Sequence, residues 1–226
     1  MYTKTKSNER LVLTYYHLRK IIGVLAISLP FVLLIGDPLI FNHYEVQPTI
    51  SHYYYTGMGD IFVGILFAFG IFLFSYKGHE PKDDIAGDLA CLFALSVALF
   101  PTTPDVIAQP SDIWKGYIHI ASAVLFFFTL SYFSYFLFTK TSKNKQMTAQ
   151  KKTRNKIYRL CAYAMIGCMF ATAIYYLLPQ STQNMLAVIK PIFILESSMI
   201  VAFGISWFTK GRGLYDDPEE SNENGS

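Results

Sequence analysis

The sequence predicts an all-α integral membrane protein, a compact bundle of six transmembrane helices with both termini in the cytoplasm. Three observations predict it. Of the 226 residues 52% are hydrophobic and only 15% charged, whereas soluble domains carry about 25% charged residues. Aromatic residues reach 16%, among them 19 Phe and 16 Tyr, and such rings gather in lipid-facing spans and at their interfacial ends. Apolar runs near the ~20 residues that cross a hydrocarbon core recur six times, with the cations confined to the segments between them.

The chain opens with a cytoplasmic and interfacial segment, residues 1–20, whose second half is an amphipathic approach with Tyr15, Tyr16 and His17 at interface depth. No cleavable signal peptide is expected, because this polar stretch precedes the first apolar run and no small-residue cleavage site follows it. The transmembrane domain covers residues 21–210. Its spans are expected at residues 21–41, 58–76, 85–100, 113–138, 157–178 and 191–209, of which the third is the shortest and needs little tilt or some shelter. The tail, residues 211–226, carries Asp216, Asp217, Glu219, Glu220 and Glu223 with almost nothing apolar to bury, and is expected to be disordered.

Orientation follows from the cations, because cytoplasmic loops collect Lys and Arg. With six spans, 17 of the 19 fall on the side of the termini, and only Lys115 and Lys190 fall on the other. The basic 139–156 loop belongs to the cytoplasmic side, where it suits contact with anionic lipid headgroups. The net charge of +3 forms no basic face, which excludes a nucleic-acid partner. Cys91, Cys161 and Cys168 lie inside apolar runs without metal-ligand spacing and read as small core residues. Small residues recur every fourth position at Ala86, Ala90, Ala94 and Ala98, and at Ser198, Ala202 and Ser206, which lets helices approach closely in lipid.

Polar residues without positive charge concentrate on the outer side. The first outer loop contains Asp37, His43 and Glu45, then Ser51, His52, Tyr53, Tyr54 and Tyr55, and leads to Asp60; the second contains Asp105 and Asp112. Within the spans stand His119 and Glu196. At 1.5 Å per residue, Asp60, Glu196 and His119 lie roughly 5, 7 and 10 Å below the outer helix ends, in one layer. Ionisable groups at such depth face a bundle interior or a water-filled cavity. Asp60, Asp105 and Asp112 also stand near helix starts, where an Asp caps free N–H groups. Glu196 has no cation on its own face of the helix, so its partner is His119, a tyrosine of the 53–55 run, or a retained proton.

The stretch ISHYYYTGMGDIFVGILFAFGIFLFSYKG, followed by LACLFALSVALFPT and ESSMIVAFGISWFTKG, resembles a group of uncharacterised bacterial six-span membrane proteins near the Frag1/DRAM/Sfk1-type assemblage, over residues 50–211. The resemblance implies the six-span architecture, and its eukaryotic Frag1-type relatives are associated with lipid-anchor remodelling. Ser51, His52, Asp60 and His119 are also similar to the Ser, His and Asp set that ceramidase-like hydrolases gather around zinc, although the paired HxxxH of a late span in those enzymes is missing here.

The expectation is therefore an outward-facing polar pocket lined by Ser51, His52, Tyr55, Asp60 and Asp105, with Glu196 and His119 as its ionisable, catalytic pair. It would bind or transport a small polar or lipid-headgroup ligand in a bacterial inner (plasma) membrane, with membrane lipids as partners. One alternative is a membrane-embedded, ceramidase-like hydrolase in which His52, Asp60 and His119 hold zinc and Glu196 is the general base. The other is a structural or partner-binding membrane protein whose polar layer fixes helix register.

Overall fold

The computed structural model describes residues 2–76, 81–105, 108–140, 147–212 and 214, and among them it contains helices, turns and no strand. No Gly or Pro interrupts residues 2–22, so the expected interfacial segment and the first span fuse into one helix, α1 (Tyr2–Phe41). α2 (Gly59–Phe74) and α3 (Pro81–Leu99) follow, the latter with Asp83 and Asp84 in its first turn. α4 (Pro110–Tyr132) begins on a capping box in which the Gln109 side chain accepts from the backbone of Asp112, and Asp112 accepts the Gln109 N–H at 3.0 Å. It continues through a π-turn at Phe133–Leu137. α5 (Ala149–Leu177), the short α6 (Gln180–Leu186) and α7 (Pro191–Lys210) complete the chain.

Among the described residues four segments are long and apolar enough to cross a membrane: Tyr16–Phe41, Pro110–Leu137, Ala149–Leu177 and Pro191–Lys210. α2 is apolar but only 16 residues long, about 24 Å at 1.5 Å per residue. The basic 139–156 segment is not all loop. Thr148 caps α5 by accepting the Lys151 N–H at 3.1 Å, and Lys151 and Arg154 on that first stretch of helix are buried. Residues 141–146 and the acidic tail from residue 215 lie outside the described residues.

The long helices close a ring. α1 packs on α7, α7 on α5, α5 on α4, α4 on α3, α3 on α2, and α2 on α1. Two seams depend on missing side chains. A Cβ on Gly204 would lie 2.8 Å from the Gly23 carbonyl oxygen, so α1 and α7 meet backbone to backbone, and a Cβ on Gly87 would lie 2.7 Å from the Leu73 carbonyl oxygen of α2. The Ala86, Ala90, Ala94 and Ala98 stripe is buried along its whole length, whereas in the α7 stripe Ala202 and Ser206 are buried and Ser198 is exposed.

At one end of the ring Tyr76, Phe133, Phe138 and Trp207 form a cluster whose ring centroids are 5.1 to 6.5 Å apart, tilted or edge-to-face as aromatic quadrupoles prefer. The α1–α2, α3–α4 and α6–α7 connections meet at the other end. There the α1–α2 connection does not lie over the surface. Its 3₁₀ turn, Ser51–Tyr55, enters the ring with Ile50, Tyr53 and Met58 all buried. Among the contacts that hold it, the Phe193 N–H of α7 donates to the Pro48 carbonyl at 3.1 Å, and the Tyr55 hydroxyl donates to the Thr102 carbonyl of the α3–α4 connection.

Candidate functional site

Why three helices and one turn converge here is a matter of helical phase. In α4, His119 shares the face of Ser122, Ala123, Phe126, Phe127 and Leu130, spaced at 3, 4, 7, 8 and 11 residues, and that face turns inward. In α7, Glu196 shares the face of Ile200, Phe203 and Trp207 on the same arithmetic. The 3₁₀ turn brings Ser51 between them. His119 Nε2 lies 2.9 Å from Ser51 Oγ, and its Nδ1 lies 2.7 Å from the Phe100 carbonyl oxygen. A carbonyl only accepts, so in the neutral ring Nδ1 carries the proton and the Ser51 hydroxyl donates to Nε2.

Glu196 reaches the same turn from the other side. Its Oε2 accepts the Ile50 N–H at 2.8 Å. That N–H belongs to the residue that opens the 3₁₀ turn and has no partner within the turn itself. His119 and Glu196 thus meet neighbouring residues of one turn, His119 at the Ser51 hydroxyl and Glu196 at the Ile50 backbone.

A second polar group sits beside this one. The Thr49 hydroxyl accepts the His52 N–H at 3.1 Å and lies 2.8 Å from His52 Nδ1, to which it donates, leaving the proton on Nε2. That nitrogen faces Asp105 Oδ1 at 3.2 Å, an ion-pair distance reached without hydrogen-bond geometry. Burial pushes the His52 pKa below its ordinary value, against the opposing pull of the Asp105 carboxylate, which is 70% exposed and well solvated.

Below Ser51 a narrow cavity of about 40 Å³ enters the ring. Ser51 and Glu196 are its polar lining, and the rest is apolar: Phe62, Leu66 and Phe69 from α2, Phe126 and Phe127 from α4, and Phe203 from α7 among them. The expected polar pocket is therefore polar at one end only.

Asp60 is not part of it. It is exposed in the first turn of α2 and outside the cavity lining. The large buried side chains of α2 are Phe62, Leu66, Phe69 and Leu73, so at 100° per residue Asp60 stands about 200° from Phe62, on the opposite face. Tyr55 and Asp105 stay at the rim, on Thr102 and His52 respectively. Zinc is not served by this geometry: among the described residues no three His, Cys, Asp or Glu side chains come together as a metal site, and the His52, Asp60 and His119 set is broken by the outward turn of Asp60.

No family model, no curated protein and no solved structure matches the chain. The site is therefore read from its own geometry.

Sequence reasoning passed over two partners, Thr49 and the Phe100 carbonyl, and named Asp37 without giving it a place in the site. Thr49 stands three residues before His52, a spacing that one turn of helix brings into contact. The Phe100 carbonyl that orients His119 carries no side-chain signal. Asp37, near the end of α1, is fully buried and holds His43 Nδ1 at 2.6 Å, with its other oxygen unpartnered; a carboxylate at the edge of an apolar run is the signal that could have found it.

Proposed function

We propose that the chain is a six-span protein of a bacterial inner (plasma) membrane, with both termini cytoplasmic, that binds or carries one amphipathic, lipid-type molecule. Its apolar chain would enter between the phenylalanines of the cavity, which part from their closed packing to take it, and its polar head would stand against Glu196 and Ser51. The observation that carries this reading is the one-sided polarity of the cavity, with a carboxyl and a hydroxyl at one end and aromatic rings along the rest. Ligand sites combine a largely apolar lining with a few polar groups that fix orientation. A wholly polar ligand would leave the rings unused, and a plain hydrocarbon would leave the polar end of the cavity unused. The cation distribution, 17 against 2, supports the orientation.

The test is mass spectrometry of the intact protein released from mild detergent. About one lipid-type molecule per chain is expected to survive purification, and Phe126→Trp, which fills the cavity, is expected to lower its occupancy at least tenfold while the variant stays folded. An empty wild-type chain after reconstitution with total membrane lipid would refute the reading.

A further inference from the structure

We propose that Ser51 is a nucleophile and His119 its general base, and that the protein transfers acyl groups from esters bound in the cavity; this rests on the amphiphile-binding reading above and names its substrate class. The direction of the Ser51 to His119 contact carries the argument. A serine hydroxyl is a weak nucleophile until an adjacent base takes its proton. Here the hydroxyl donates at 2.9 Å to the unprotonated nitrogen of a ring whose other N–H is fixed by the Phe100 carbonyl at 2.7 Å. Nucleophile, base and orienting group are thus present in the order that acyl-transfer sites require, with a backbone carbonyl where a carboxylate often stands.

Position adds to this. His119 is buried, 4% exposed, so water does not compete for its free nitrogen. Ser51 lines the cavity and His119 stands outside the lining, on the far side of the Ser51 hydroxyl.

The reaction balances with water as the second reactant. Ser51 Oγ bonds to the ester carbonyl carbon while its proton passes to His119 Nε2. The carbon–oxygen bond to the alcohol then breaks, and the leaving oxygen takes that proton. Water next adds to the acyl carbon, giving a proton to Nε2; the bond to Ser51 breaks, its oxygen recovers the proton, and a carboxylic acid leaves.

The experiment treats the full chain in detergent with a fluorophosphonate bearing a linear alkyl chain, then maps the adduct by peptide mass spectrometry. Phosphonylation of Ser51 is expected, absent in Ser51→Ala and slowed about 100-fold in His119→Gln, the scale of general-base assistance. An unmodified Ser51 in folded wild-type protein overturns the proposal, as does a rate that His119→Gln leaves unchanged. The wild-type mapping needs no variant, so a misfolded His119→Gln leaves the test intact. Lipid occupancy measured on the same samples separates the two readings: a wild-type chain that carries lipid but leaves Ser51 unmodified sinks only the nucleophile, and an empty chain that reacts at Ser51 sinks only the binding site.

Discussion

Glu196 shows what a partly buried carboxyl does before any ligand is considered. Accepting the Ile50 N–H, it caps a 3₁₀ turn from another helix, 146 residues away in sequence. Leaving such a donor unpaired costs about 1–3 kcal/mol. Glu196→Gln keeps an acceptor oxygen at the same reach and is expected to lie within about 1 kcal/mol of the wild type. Glu196→Ala removes it and is expected to lose about 1–3 kcal/mol. Denaturant titration of both variants checks this, and an alanine variant as stable as the glutamine one would show that the turn does not depend on the cap. The same pair separates structure from function, since a folded Glu196→Gln chain is expected to carry less lipid through loss of the carboxyl at the polar end of the cavity. At this scale the sequence named His119 and Glu196 from depth alone, but Ser51, which meets His119, was one polar residue among several in a loop whose path depth arithmetic does not describe.

Helix phase explains most of what the sequence did and did not reveal at the level of elements. The six long helices stand where apolar runs stand, and the alanine stripe marked the buried face of α3 because small residues differ from their neighbours in size. α2 offers no such contrast. It is apolar all round, so hydropathy does not say which face turns inward, and Asp60 was placed with His119 and Glu196 by depth although its azimuth points away. The π-turn after α4 and the short α6 likewise leave no mark in a hydropathy profile. The α1–α7 seam was equally hidden, because Gly23 and Gly204 each occur singly. That seam gives a paired test. Gly204→Leu would drive a side chain into the Gly23 carbonyl and Ile27, with the added carbon 2.7 to 2.8 Å from both, and overpacking of this kind costs about 1–3 kcal/mol or more. Gly64→Ala meets nothing within 4 Å and is expected to gain about 0.5–1 kcal/mol from helix propensity. Apparent melting temperatures in one detergent should therefore move in opposite directions, and equal shifts would mean that the close approach of α1 and α7 is not a constraint.

For the whole molecule, the ring and the cation distribution make one joint claim. α1–α2, α3–α4 and α6–α7 connections share an end of the ring, and that end holds Lys115 and Lys190 with Glu45, Asp105 and Asp112, while the opposite end gathers Arg19, Lys140, Lys151, Arg154 and Lys210. Positive residues are retained on the cytoplasmic side during insertion, so the 3₁₀ turn and the mouth of the cavity should face outward. α2 is the weak point, because about 24 Å of apolar helix is short for a ~30 Å hydrocarbon core. Its seams against α1 and α3 bury part of it in protein, and short spans are tolerated by local thinning or by flanking residues that reach for the interface. If α2 and α3 both failed to cross, the chain would have four spans and the termini would still share a side, so the termini alone do not discriminate. The α2–α3 connection does: it is cytoplasmic with six spans and stays outside with four. Single cysteines at Gln47, Lys77 and Met147, on a background lacking Cys91, Cys161 and Cys168, are read with an impermeant thiol reagent on intact cells. Six spans require labelling at 47 alone. Labelling at both 47 and 77 would reduce the bundle to four crossings, and labelling at 147 without 47 would invert it and place the cavity mouth on the cytoplasmic side.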